Sequence, residues 1–200
     1  MTPTPPLFRI GGIASALALL LACGGGGSGG GSSTSASPST ATSLGYTDPT
    51  SGTYLLKKNA ALSTATHLVL DLVGPASTTG TGITATFTAD ATRVAWANVA
   101  AGDPANTFVQ NGTAFSLGAA PQILKGKVSG GTLQVAVAQK GIASPASLNA
   151  PLLRVALDLK AAQSAGAVTL AADSAKCQMI DGTGTIVAPI AVTVGTLSSQ

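Results

Sequence analysis

Beyond residue 50 the chain alternates apolar and polar residues with a period of two. In Thr66-His67-Leu68-Val69-Leu70-Asp71-Leu72 the three leucines share one side, and in Gly82-Ile83-Thr84-Ala85-Thr86-Phe87-Thr88-Ala89 the set Ile83, Ala85, Phe87 and Ala89 alternates with threonine. Successive strand side chains point to opposite sides of a sheet, so each segment reads as a half-buried antiparallel strand. Residues 133–138 and 153–159 repeat the pattern. Strands are expected near 53–57, 66–73, 82–89, 92–99, 113–117, 123–129, 132–139, 152–160, 167–171, 176–180 and 185–194. Gly74-Pro75, Gly102-Asp103-Pro104, Asn111-Gly112, Ser129-Gly130-Gly131 and Asp181-Gly182-Thr183-Gly184 punctuate them as turns. Hairpins are expected at 128–133 and 180–186. No stretch combines a 3.6-residue period with caps, so the pattern predicts an all-β sandwich or barrel.

The alternation is missing from the first 50 residues. Residues 1–22 carry one positive charge, Arg9, and a short apolar core from Ile10 to Ala22, as a secretory signal does. Leu20-Leu21-Ala22-Cys23 follows, and it resembles the lipobox of bacterial lipoproteins, with Leu21 where a smaller residue is usual. The resemblance implies cleavage before Cys23, a diacylglycerol on its thiol, and export to the cell envelope. Gly24 in place of an aspartate after that cysteine implies the outer membrane of a two-membrane cell. Residues 23–52 are rich in Gly, Ser, Thr and Pro, too poor in apolar surface to offset the entropy of ordering, and read as a disordered tether. The folded domain is then expected over 53–195, with a tail at 196–200.

Composition narrows the function. Apolar residues make up 45% and charged residues 8%, and ten Lys and Arg face seven acidic residues, all aspartate. So small and dispersed an excess is no nucleic-acid footprint. Lys57-Lys58 and the pair Lys125 and Lys127 read as solvated strand positions. With Cys23 acylated, Cys177 has no disulfide partner and reads as a small buried apolar residue.

Catalytic patterns are lacking. Without glutamate, paired-carboxylate chemistry would need aspartates that sit in turns or, like Asp71 and Asp158, on polar strand faces. His67 and Asp71 share a strand side but lie roughly 13 Å apart along it, too far to pair. The glycine tract has no lysine or strand–loop–helix context for phosphate. Asp103 and the turn Asp181-Gly182-Thr183-Gly184 could contribute oxygens to calcium, which takes six to eight, so calcium stays an alternative while no cofactor other than the lipid is expected. Phe87 and Trp96 read as core, and Phe108 and Phe115 as packing over the sandwich edge, which leaves no platform for sugar stacking.

The order of segments resembles the cohesin-like family, which binds dockerins and has carbohydrate-binding modules as structural relatives. The matching pieces are the strands at 68–73 and 83–87, the step Asp90-Ala91-Thr92-Arg93-Val94-Ala95-Trp96, Val99-Ala100-Ala101-Gly102-Asp103, the strand at 131–138, the segment at 152–159 and Asp181-Gly182-Thr183-Gly184-Thr185-Ile186. The resemblance implies an antiparallel jelly-roll β-sandwich of about nine strands and a non-catalytic module that holds a protein partner. It places candidate contacts at Arg93, Ala95, Asn98, Gln134 and Gln139. A polysaccharide-binding module and a structural accessory of a secretion or pilus system are the alternatives.

Overall fold

A computed structural model describes residues 39–115, 122–139 and 144–200. The expected leader, Cys23 and most of the tether lie outside the described residues, as does the end of the strand expected at 113–117. The described chain is all-β apart from one 3-10 turn at Ser174–Lys176.

Sixteen strands, many of two to four residues, form it: β1 (Leu44–Thr47), β2 (Tyr54–Lys58), β3 (His67–Val73), β4 (Thr79–Ala89), β5 (Val94–Ala97), β6 (Gln110–Asn111), β7 (Gln122–Ser129), β8 (Thr132–Gln139), β9 (Ala146–Ser147), β10 (Pro151–Leu159), β11 (Gly166–Val168), β12 (Leu170–Ala172), β13 (Gln178–Asp181), β14 (Ile186–Val187), β15 (Val192–Val194) and β16 (Thr196–Ser199). The first sheet runs β15-β2-β3-β10-β5, with β6 on β10. The second runs β14-β13-β4-β8-β7, with β9 and β12 on β4. All pairs are antiparallel except β15 with β2. The two sheets make a jelly-roll sandwich, and a small third sheet, β1-β16-β11, accompanies it.

The alternation is realised in the packing. Leu68, Leu70 and Leu72 of the first sheet meet Ile83, Phe87, Leu133 and Val137 of the second in one core. Phe87 and Trp96 come from opposite sheets, with ring centroids 6.2 Å apart at 42°. The indole N–H donates to the Gly131 carbonyl at 2.8 Å, so the ring is buried without stranding its polar atom. The hairpin expected at 128–133 is the β7–β8 turn, with Ser129 opposite Thr132 and Gly130 at φ 58°. That backbone conformation suits glycine, which has no Cβ to clash.

Several expectations need correction. The segment expected to be tether as far as residue 52 already contains β1, and the expected tail 196–200 contains β16, its antiparallel partner. The pairing joins segments about 150 residues apart, which no local pattern shows. Tyr46 pins them: its hydroxyl donates to the Leu56 carbonyl at 2.7 Å and accepts from the Gly195 amide at 2.7 Å. The single strand expected over 185–194 is two, β14 in the second sheet and β15 in the first. Pro189, which has no N–H for a ladder, lies between them. Phe115 is in the core at 2% exposure rather than over the edge, while Phe108 is partly buried against it. Asp71 lies on the outer strand side as expected, and there it is 8% exposed and accepts from Arg154.

Candidate partner-binding face

The second sheet has one side in the core and one side outward. Inward go Ile83, Ala85 and Phe87 of β4, with Leu133, Val135 and Val137 of β8. The alternate residues make rows across the outer side. One is Ile186, Ile180, Gly82, Ala138 and Ile123, one residue from each of β14, β13, β4, β8 and β7. At a strand spacing near 4.8 Å it is about 19 Å long. Ile186 is 62% and Ile123 43% exposed, so its ends stand in solvent. The next row is Gln178, Thr84, Ala136 and Lys125, and the third Thr86, Gln134 and Lys127.

Thr84, Ala136 and Lys125 of the second row, with the third row, line an open concavity of about 660 Å³ to which Asn106, Thr107 and Lys176 also contribute. Among the described residues no carboxylate and no aromatic ring lines it. Lys176 is paired with Asp173 at 2.7 Å; their hydrogen bond raises the ammonium pKa and lowers that of the carboxyl. Lys125 and Lys127 are exposed.

The outer side of the first sheet is built differently. Val69 of β3 and Ala156 of β10 point outward yet are fully buried, because Val99 packs on them. The loop that carries Val99 is held by Asn98, whose Nδ2 donates to the Pro104 carbonyl at 3.0 Å and whose Oδ1 accepts from the amides of Thr107 and Phe108, both at 3.1 Å. Asp71 bonds Arg154 Nε at 2.8 Å and Asn59 Nδ2 at 2.9 Å beside it.

This arrangement divides the five candidate contacts. Arg93, Ala95 and Asn98 lie at or beside β5 in the first sheet, and Gln134 and Gln139 lie on β8 in the second, so they do not form one surface. Arg93 clamps the chain instead, donating to the carbonyls of Ala167 and of Ser164, the latter at 2.7 Å. Ala95 is opposite Asp158. Gln139 shares the inward parity of Leu133, Val135 and Val137 and is half-buried. Of the five, Gln134 alone is exposed on the outer side of the second sheet. Lys125 and Lys127, read from the sequence as solvated strand positions, share one side by their i, i+2 spacing, whereas nothing local marks Thr84, Thr86 or Lys176.

His67 has a carboxylate partner that its own strand could not reveal. Asp158 is directly opposite it on β10, with Nδ1 to Oδ1 at 2.6 Å, and Nε2 is 3.1 Å from the Val99 carbonyl. Both ring nitrogens are engaged, which leaves neither to take a proton from a nucleophile. Asp103 is bonded by Gln110 and the Ala100 amide, and Asp181 by Thr183 and Thr185 within its own turn. No three His, Cys, Asp or Glu side chains converge among the described residues.

No protein-family model matches the chain, and no curated protein sequence matches it. Solved structures do. A type II cohesin of Acetivibrio cellulolyticus, crystallised in a cohesin–X–dockerin complex, aligns at TM-score 0.57 and 13% identity over 72% of this chain and 95% of its own. The second type II cohesin module of the ScaA adaptor scaffoldin of the same organism aligns at TM-score 0.56 and 12% identity, over 73% and 95%. The same module with its long C-terminal linker aligns at TM-score 0.58 and 13% identity, over 74% and 90%. The domain has a cohesin-like fold. On the outer side of its second sheet Ile123, Lys125, Lys127 and Gln134 are exposed and Thr86 is buried, while a loop packs over part of the outer side of the first sheet.

Proposed function

We propose that the chain is an exported, non-catalytic interaction module that is lipid-anchored through Cys23 and holds a protein partner on the outer side of β13-β4-β8-β7. The carrying observation is that open surface, with its concavity and exposed Ile123 and Ile186, in a cohesin-like sandwich. Exposed isoleucines at the two ends of one row, beside lysine and glutamine, suit contact with a protein. A cohesin of this fold was crystallised with its dockerin-bearing partner, which supports the reading. The engaged nitrogens of His67 support a non-catalytic role. The lipobox-like Leu20-Leu21-Ala22-Cys23 and the following Gly24 support a lipid anchor in the outer membrane.

A photo-crosslinking residue at Ala136 tests the surface, with the same residue at Ala95 on the opposite sheet as control. An adduct with one protein from Ala136 and none from Ala95 is expected. Equal labelling from both, or none from Ala136, sinks the assignment, and a glycan-array signal without any protein adduct favours polysaccharide. For the anchor, Cys23→Ala should move the protein out of the membrane fraction; a variant that still pellets without an acyl group overturns it.

A further inference from the structure

All seven acidic side chains of this protein are aspartates, and the fold commits every one of them. Asp48 accepts from the Lys58 amide, Asp71 from Arg154 and Asn59, Asp90 from Thr92, and Asp103 from Gln110. Asp158 pairs with His67, Asp173 with Lys176, and Asp181 with Thr183. The cations are not all used in this way. Among the described residues Lys57, Lys58, Lys125 and Lys127 have no ion pair and no side-chain hydrogen bond. Lys57 and Lys58 are consecutive on β2, so alternation sends them to opposite sides of the sheet. Lys125 and Lys127 are two apart on β7, so they stand on one side, about 6.8 Å from each other along the strand.

We propose, resting on the assignment of the outer surface of the second sheet as the partner site, that the partner presents there a protein segment with two or more carboxylates beside an apolar patch. The free ammonium groups of Lys125 and Lys127 meet the carboxylates, and the row Ile186, Ile180, Gly82, Ala138 and Ile123 meets the patch. The geometry is additive, because on β7 itself the order is Ile123, Lys125, Lys127, apolar then charged at two-residue steps. The alternative anionic ligand, an acidic polysaccharide, finds no ring to stack on among the described residues of this concavity. Opposite charge steers encounter and falls with salt, whereas contact through Ile123 and Ala138 does not.

The test uses the full-length chain immobilised on beads and a display library of short random peptides, with bound sequences read before and after raising the salt from about 0.05 M to about 0.5 M. The expected result is enrichment of peptides carrying Asp or Glu next to apolar residues, with binding reduced about tenfold or more by high salt and by Lys125→Glu/Lys127→Glu. Both lysines are exposed, so this pair should leave the thermal midpoint nearly unchanged. Ala136→Phe, which adds bulk and no charge to the same surface, separates the outcomes. Peptides that lose binding with Ala136→Phe but keep it with the two glutamates overturn the acidic partner and leave the surface assignment standing. Peptides indifferent to both changes, or no enrichment at all, overturn both.

Discussion

Arg154 and Asp71 stand directly opposite each other on β10 and β3, with Nε 2.8 Å from Oδ1, on the outer side of the first sheet. Their side chains are 20% and 11% exposed, so the pair is largely withdrawn from water. Removing one partner leaves the other charge desolvated, which costs more than removing both. Arg154→Met should therefore lower stability by about 2–3 kcal/mol, and adding Asp71→Leu should recover part of it. Denaturant midpoints of the two single variants and the double variant check this; additive losses would show that the pair is not coupled.

The N-terminal boundary of the domain is a second quantity to measure. A chain covering 39–200 should melt as the full chain does. One covering 53–200 loses buried Leu44 and both hydrogen bonds of Tyr46, and leaves β16 unpaired on one side. The loss should be at least about 3 kcal/mol. Equal melting of the two would show that β1 adds nothing.

Stability should be flat across the neutral range and fall at both ends. Thr92, Lys176 and Thr183 hydrogen-bond the carboxylates of Asp90, Asp173 and Asp181 and hold their pKa values below the usual 3.8. A lowered pKa contributes stability above 3.8 that disappears as pH falls through the folded values. At the other end burial pushes Tyr46 up from 10.0 to about 12. That contribution is complete below pH 10 and lost as pH rises toward 12. Tyrosinate absorbance against pH, compared between the native chain and Tyr46→Phe, isolates this residue. Tyr46→Phe should also cost about 2 kcal/mol at neutral pH by removing a donor and an acceptor.

Cys177 is fully buried, and burial raises its thiol pKa. The thiolate is the reactive form, so both accessibility and ionisation oppose modification. In a Cys23→Ala chain, alkylation by iodoacetamide at mildly alkaline pH should be negligible in the native state and complete after denaturation. Rapid native labelling would show that β13 and its neighbours open readily.

Parts of this molecule were legible in order along the chain. The alternation of Leu68, Leu70 and Leu72, of Ile83 to Ala89 and of Leu133 to Val137 is a local property that marks strands and their buried sides. The same reasoning identified Phe87 and Trp96 as core and marked the β7–β8 hairpin through Ser129-Gly130-Gly131. It misplaced Phe115, because a single aromatic beside a turn carries no periodicity to say which way it points.

Strand existence and parity are thus written in the sequence, since each depends only on neighbours one and two residues away. Pairing belongs to the tertiary structure, because register brings together residues that are distant in the chain and leaves no local signature. That is why β1 finds β16, why His67 meets Asp158 instead of Asp71, and why β5 and β8 fall into different sheets and divide the expected contact residues. Lys125 and Lys127 share a side by parity alone; only the assembled sheet sets Thr84, Thr86, Gln134 and Lys176 beside them around one concavity.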